Sequence, residues 1–254
     1  MDIQTYLQRI GFQGPAGPDY ETLRGIHRSH MLTVPFENLD IIPLHRPVKL
    51  DERSLWDKII LRRRGGFCYE LNGMFAWLLK QIGFDVTHLD ARVFNREGEP
   101  GIDFDHLTLL VSTPGSSGRW LADVGFGDSF MEPLNFEDRG DQAQGLRAYK
   151  LELSSGGYVL WQRNYDKSLK REYIFDLQPR SFPSDYEAAC LYHQTSPQSH
   201  FTRNSMISLA KPDGRVSLEE QEWIVTKNGV KSRHPVVNAQ EYNKLLKEHF
   251  GVVL

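Results

Sequence analysis

The spacing of apolar residues changes character once along this 254-residue chain, beside Gly83, and the change limits the folds open to it. Before it, Leu71, Met74, Phe75, Leu78, Leu79 and Ile82 recur at the i, i+3, i+4, i+7 interval of one helical face, and Gly83 ends the run as a C′ glycine does. From Val86 onward the runs VTHLDARVF, HLTLLV, RWLADVGF, AYKLELS and YVLWQRN are short, β-rich and separated by Gly, Pro, Ser and Asn clusters. That is the pattern of an antiparallel sheet or barrel. Helices first and strands later make the chain α+β.

The helical part also holds DIQTYLQRIGF, DYETLRGIHRSHMLTV ending before Pro35, and SLWDKII with Ser54 as its N-cap. Residues 185–206 read as mixed helix and loop. WIVTKNGVKSRHPV reads as a hairpin turning at Asn228-Gly229, and NAQEYNKLLKEHF as an amphipathic helix capped by Asn238. This texture divides the chain into a helical unit (1–84), a strand-rich unit (85–190) and a closing unit (191–254).

A formal net charge of −3 gives no general attraction to nucleic acid or anionic membrane, and no apolar run reaches the ~18 to 20 residues of a membrane span. Two cysteines, Cys68 and Cys190, make no disulfide framework, and the opening MDIQTYLQRIGF lacks the apolar core of a signal peptide. A cytoplasmic location is therefore expected, with no nucleic-acid or membrane partner. Oligomeric state stays open. The metal-ligand spacings C-x-x-C, H-E-x-x-H and H-x-E with a later C-x-x-C are absent from the sequence, so no metal is expected.

Within RRRGGFCYELNG, residues 62–73, Cys68 falls at or just before a helix N-terminus, where unpaired N–H groups and the macrodipole favour a thiolate. Gly65 and Gly66 are expected to let the backbone approach a ligand, and Arg62, Arg63 and Arg64 to add positive potential around the thiol. The competing reading is a cysteine buried as a small hydrophobe, which is how Cys190 in EAACLYHQ reads.

A nucleophilic thiol needs a base and a group to orient that base. His106 opens HLTLLV directly after the loop GEPGIDFD. TPGSSG then turns, and RWLADVGFG returns, which brings Asp123 within a residue or two of the level of His106. His27 and His30 read as surface or cap residues, Glu70 as a carboxylate favoured by the helix dipole, and Asp105 as pointing away from His106. The order Cys, His, Asp is that of papain-like enzymes. A gap of 38 positions between Cys68 and His106, with no C-G-[SA]-C-[WY] signature, argues against a protease of that family.

RGGFCYELNG, DHLTLLV and LADVGFG, with VPFENLDI at 34–41 and QTSPQSHF at 194–201, closely resemble the arylamine N-acetyltransferases over nearly the whole chain. The resemblance implies an N-terminal helical bundle, a central antiparallel β-barrel and a C-terminal α/β lid, with a papain-like Cys-His-Asp site between the first two. It implies that Cys68 and His106, as a thiolate–imidazolium pair oriented by Asp123, take the acetyl group of acetyl-CoA and pass it to an arylamine, arylhydrazine or arylhydroxylamine. Acetyl-CoA is then a co-substrate, and no permanently bound cofactor is expected. Phe36, Phe126 and Phe201 are expected at the aromatic substrate, and Gly125, Phe126 and Gly127 at the cofactor arm. Phe67, Tyr69 and Phe104 are further aromatic candidates, and the Cys68 N–H is the favoured oxyanion donor. Two other readings stay open: an amide synthase or acyl-thioester hydrolase using the same triad, and a redox-sensing or ligand-binding protein.

Overall fold

The computed structural model of the chain describes residues 1–115 and 117–254; Ser116, in the TPGSSG turn, lies outside them. The first unit holds α1 (Ile3–Ile10), α2 (Tyr20–Thr33), the two-residue strand β1 (Phe36–Glu37), α3 (Glu52–Leu55) and α4 (Cys68–Ile82). Asp2, Asp19 and Asp51 each accept the N–H three residues on, which satisfies one of the unpaired donors at a helix start. The cap of α3 is thus Asp51, not Ser54: Ser54 donates its backbone N–H to the Asp51 carboxylate. From Trp56 to Leu61 this helix continues as a wider π turn. Gly83 closes α4 in the left-handed conformation, φ 108°.

The second unit contains β2 (Asp85–Val93), β3 (His106–Ser112), β4 (Arg119–Ala122), β5 (Leu134–Asn135), β6 (Gln142–Gln144), β7 (Arg147–Ser154), β8 (Gly157–Arg163) and β9 (Leu169–Phe175). They form one antiparallel sheet in the order β5-β4-β3-β2-β9-β8-β7-β6. Its edge strands face each other, and glutamine side chains span the gap in place of a backbone ladder. Gln142 accepts from Asn135 N and donates to Asn135 O, while Gln144 bonds the backbone of Met131 and Glu132. The result is a nearly closed eight-stranded barrel.

Strand alternation splits the packing. Leu107, Leu109 and Val111 of β3 face the helical core, whereas Leu110 and its cross-strand partner Leu121 face the barrel interior with Tyr149, Leu151 and Tyr173. His106 shares the parity of Leu110 and so belongs to the barrel side, where Asp123, just past β4, bonds to it and to Tyr173. The expected strand RWLADVGF ends early, because the chain leaves the ladder after Ala122 into the loop 123–133.

The third unit is a meander of β10 (Met206–Lys211), β11 (Gly214–Glu219), β12 (Glu222–Lys227) and β13 (Val230–Pro235), with β1 added beside β10. All its pairings are antiparallel, so the expected α/β lid is an antiparallel sheet with helices. Helix α5 (Glu187–Thr195) runs across the expected boundary at residue 190, and α6 (Ala239–Leu245), capped by Asn238, closes the chain. Asn228 and Gly229 both have positive φ, as a two-residue hairpin turn of this twist requires. Asn38 stitches this unit to the first: its amide donates to Phe201 O and Asn204 O and accepts from Met206 N. Among the described residues no helix is long and apolar enough to cross a membrane.

Candidate active site

The entry to α4 is built by charge pairing in the interior. Arg64 grips Glu37 through two bonds of 2.8 and 2.9 Å and reaches Asp40 at 3.3 Å; Lys58 lies 2.8 Å from both Glu70 and Asp40. Arg62 pairs with Asp57. Arg62 and Arg64 are therefore engaged by carboxylates and do not serve the thiol as expected. Two cations face three buried carboxylates, and burial pushes Glu70 up to about 7 despite Lys58. Glu70 also accepts the Phe67 N–H at 3.2 Å, which fixes the start of the helix. The glycines answer to packing rather than to a ligand. A Cβ on Gly65 would stand 1.9 Å from Pro35 O, and one on Gly66 2.6 Å from the Glu70 carboxylate.

Cys68 is the first residue of α4 and is buried. Burial pushes its thiol well up, the charges of Asp105 and Asp123 add to the rise, and the Leu107 backbone N–H opposes it. Burial thus works against the helix start, and a desolvated anion here needs a positive partner, the part that the resemblance gives to His106.

His106 Nε2 lies 2.7 Å from Asp123 Oδ2, and both side chains are buried. A carboxylate only accepts, so Nε2 carries the proton and Nδ1 is left for another partner. Asp123 itself is saturated. Oδ1 accepts from Asn72 Nδ2 (2.8 Å) and Gly125 N (3.0 Å), and Oδ2 from His106 and from the Tyr173 hydroxyl (3.0 Å). Burial raises the carboxyl, but His106, Asn72 and Gly125 outweigh it and hold it below the usual carboxylate range.

Cys68 and His106 line one cleft of about 790 Å³ together with Phe36, Phe126, Phe201 and Gly125. Phe126 meets the His106 ring edge-on at 5.1 Å, and Phe36 lies 6.2 Å from Phe201. The three expected substrate aromatics thus converge. Phe67 and Tyr69 are core residues instead, Tyr69 donating its hydroxyl to Phe104 O. Gly125 does not offer its N–H to a cofactor, since Asp123 takes it, and a Cβ there would come within 2.9 Å of Cys68 Cα. Gly127, at φ 83°, borders a neighbouring cleft of about 420 Å³ with Phe126, Lys170, Arg215 and Lys231, and its carbonyl accepts from Arg215.

The expectations for Asp105, His27 and His30 change, and that for Cys190 does not. Asp105 lines the cleft rather than pointing away: it lies 3.1 Å from His193 Nε2 and accepts the Val93 N–H. His27 and His30 are wholly buried, not surface residues. Cys190 is buried as expected, and burial pushes it up to about 12. Among the described residues no group of three or more His, Cys, Asp or Glu is placed to hold a metal ion.

The N-acetyltransferase family model matches residues 19–254. The arylamine N-acetyltransferase of Mycolicibacterium smegmatis is 33% identical over 265 residues, which cover 100% of this chain and 93% of that protein. The chain belongs to the arylamine N-acetyltransferase family. The Escherichia coli (strain K12) arylamine N-acetyltransferase is likewise 33% identical, covering 98% of this chain and 88% of its own length. The Mycobacterium marinum arylamine N-acetyltransferase solved in complex with CoA superposes with a TM-score of 0.91 at 30% identity, covering 99% of this chain and 93% of that one. Membership makes this chain an acyltransferase. For an arylamine N-acetyltransferase of this sequence, Asn72, Tyr173 and His27 are the polar groups around Asp123 that the linear pattern does not reveal. Asn72 alone leaves a trace, as an amide one helical turn beyond Cys68 in an otherwise apolar stretch.

Proposed function

We propose that Cys68, His106 and Asp123 carry an acetyl group from acetyl-CoA to an arylamine, arylhydrazine or arylhydroxylamine by a ping-pong route. The observation that carries this reading is the His106–Asp123 pair at 2.7 Å, opening onto the cleft that also receives Cys68. His106 Nδ1 takes the thiol proton, and Asp123 favours the resulting imidazolium. The Cys68 sulfur adds to the thioester carbonyl of acetyl-CoA, the bond from that carbon to the CoA sulfur breaks, and the imidazolium returns its proton to the departing CoA thiolate. Cys68 now holds the acetyl group as a thioester. An amine nitrogen then attacks it, gives a proton to His106 and leaves as the amide, while the Cys68 thiolate is restored.

Support for acetyl-CoA as donor comes from family membership and the CoA complex of the M. marinum relative. Phe126 lines both clefts and Gly127 the second, where Lys170 pairs with Glu172 and Arg215 with Asp128, so Lys231 is the cation there that is offered to the phosphates of the cofactor. Phe36, Phe126 and Phe201 form an apolar wall for the aromatic ring of the acceptor and keep water from the acyl thioester. The free thiol this chemistry requires suits a reducing cytoplasm.

The test is to mix the protein with acetyl-CoA and no amine, then locate any added acetyl group by intact mass and peptide mapping. Acetylation at Cys68 that is discharged by an arylamine is expected. Steady CoA release without amine points instead to a hydrolase, and a protein never acetylated at Cys68 refutes the reading.

A further inference from the structure

His27 lies in the middle of α2, 96 residues before Asp123, yet it binds the backbone of that residue. Its Nε2 stands 3.1 Å from Asp123 N, and its Nδ1 stands 2.9 Å from Met131 O. A peptide N–H can only donate and a carbonyl can only accept, so Nδ1 carries the proton and Nε2 presents its lone pair. Asp123 is the first residue past β4 and has left the ladder; among the described residues His27 is the acceptor its N–H finds. One ring therefore ties both ends of the segment DVGFGDSFM, which carries Gly125, Phe126 and Gly127. The ring cannot swing. Phe130 stacks on it at 5.6 Å and Phe75 meets it edge-on at 5.8 Å. Its titratable neighbours are Asp123 across the segment and His30 one turn along α2.

We propose that His27 is a positioning residue of the triad: its Nε2 holds the Asp123 peptide so that the carboxylate meets His106 in the geometry that stabilises the imidazolium. The inference rests on the triad reading given above. Two of the four donors to Asp123, His106 and Tyr173, come from barrel strands, and Asn72 comes from α4. The Asp123 N–H, by contrast, is held by α2, while Asn72 holds the next one, that of Val124. Releasing that anchor lets the carboxylate follow its other donors away from His106.

Two substitutions separate the two ring nitrogens. His27→Gln places an acceptor near the Nε2 position and keeps the bond to Asp123 N; His27→Asn keeps a donor near Nδ1 for Met131 O and loses the other bond. Three readouts are taken on each: the rate of Cys68 acetylation by acetyl-CoA, the pH midpoint of Cys68 alkylation, and the melting temperature. The Asn variant is expected to acetylate about tenfold more slowly with KM for acetyl-CoA little changed, and its alkylation midpoint to rise by about one pH unit. The Gln variant is expected to restore the wild-type midpoint. Equal midpoints in the two variants, or rates that simply follow melting temperature, overturn the proposal. Should the Asn variant not fold, the Gln variant decides alone, a wild-type midpoint supporting the idea and a raised one overturning it. Cys68→Ala run alongside tests the triad reading separately, since acetyl transfer surviving in it would sink that reading whatever His27 does.

Discussion

Asp123→Asn removes one charge and almost no volume, which makes it the sharpest probe of the site. Each Asp123 oxygen accepts two hydrogen bonds, so an amide nitrogen must face donors wherever it is placed. Asn72 Nδ2 and Gly125 N cannot reverse their roles, because Asn72 is fixed by its bonds to Leu107 O and Val124 N. Tyr173 can turn its hydroxyl toward Thr108, 3.3 Å away, and His106 can change tautomer. The amide nitrogen therefore settles on the His106 side and leaves the ring protonated at Nδ1, unable to take the thiol proton there. The imidazolium also loses its carboxylate. With charge centres about 4 Å apart and an effective dielectric near 20, that loss is about 4 kcal/mol, roughly a thousandfold in rate. Rapid-quench intact-mass measurement of single-turnover acetylation at Cys68 reads it directly. An Asp123→Asn enzyme that acetylates within tenfold of wild type would refute the argument that the carboxylate stabilises the charged ring.

Burial pushes His27 and His88 down to about 4, against about 6.5 in the unfolded chain, so unfolding takes up protons between those values. The contribution of these two rings is complete above pH 6.5 and falls as pH drops toward 4, by up to roughly 3 kcal/mol for each, while Glu70, pushed up to about 7, gains in the same window and offsets about one ring; urea midpoints that do not fall between pH 7.5 and 5 would contradict this. Gly65→Ala puts a Cβ 1.9 Å from Pro35 O, so β1 must separate from the α4 entry. A cost of about 3 kcal/mol or more is expected in denaturant melts, and a neutral substitution would refute the packing reading. Lys58→Met leaves Glu70 and Asp40 without their shared cation and should cost about 3 to 5 kcal/mol, with partial recovery when Glu70→Gln is added; equal stability of single and double variants would rule out the pairing.

Several parts of the site are legible along the chain because they depend on near neighbours. The apolar period and Gly83 delimit α4 and place Cys68 at or just before its start, and it is the first residue of the helix. The hairpin arithmetic also holds: Leu109 pairs with Ala122, which brings Asp123 opposite Thr108, two residues from His106. Asp105 escapes the same arithmetic because it precedes the strand, where alternation does not yet apply. The edge strands β1, β5 and β6 are too short to show a period, and β9 is masked by Lys170, Arg171 and Glu172.

The linear order of residues by itself determined the limits of α4, the strand alternation of β3, the Asn228-Gly229 turn and the family motifs. Each follows from sterics and spacing within a few residues. Tertiary structure alone decided that Arg64 grips Glu37 rather than serving the thiol, that burial raises Cys68, and that His27 holds the Asp123 peptide. Charge state and hydrogen-bond partner are set by whatever folding brings within about 3 Å and by how much water it removes, and neither quantity exists until distant segments have packed.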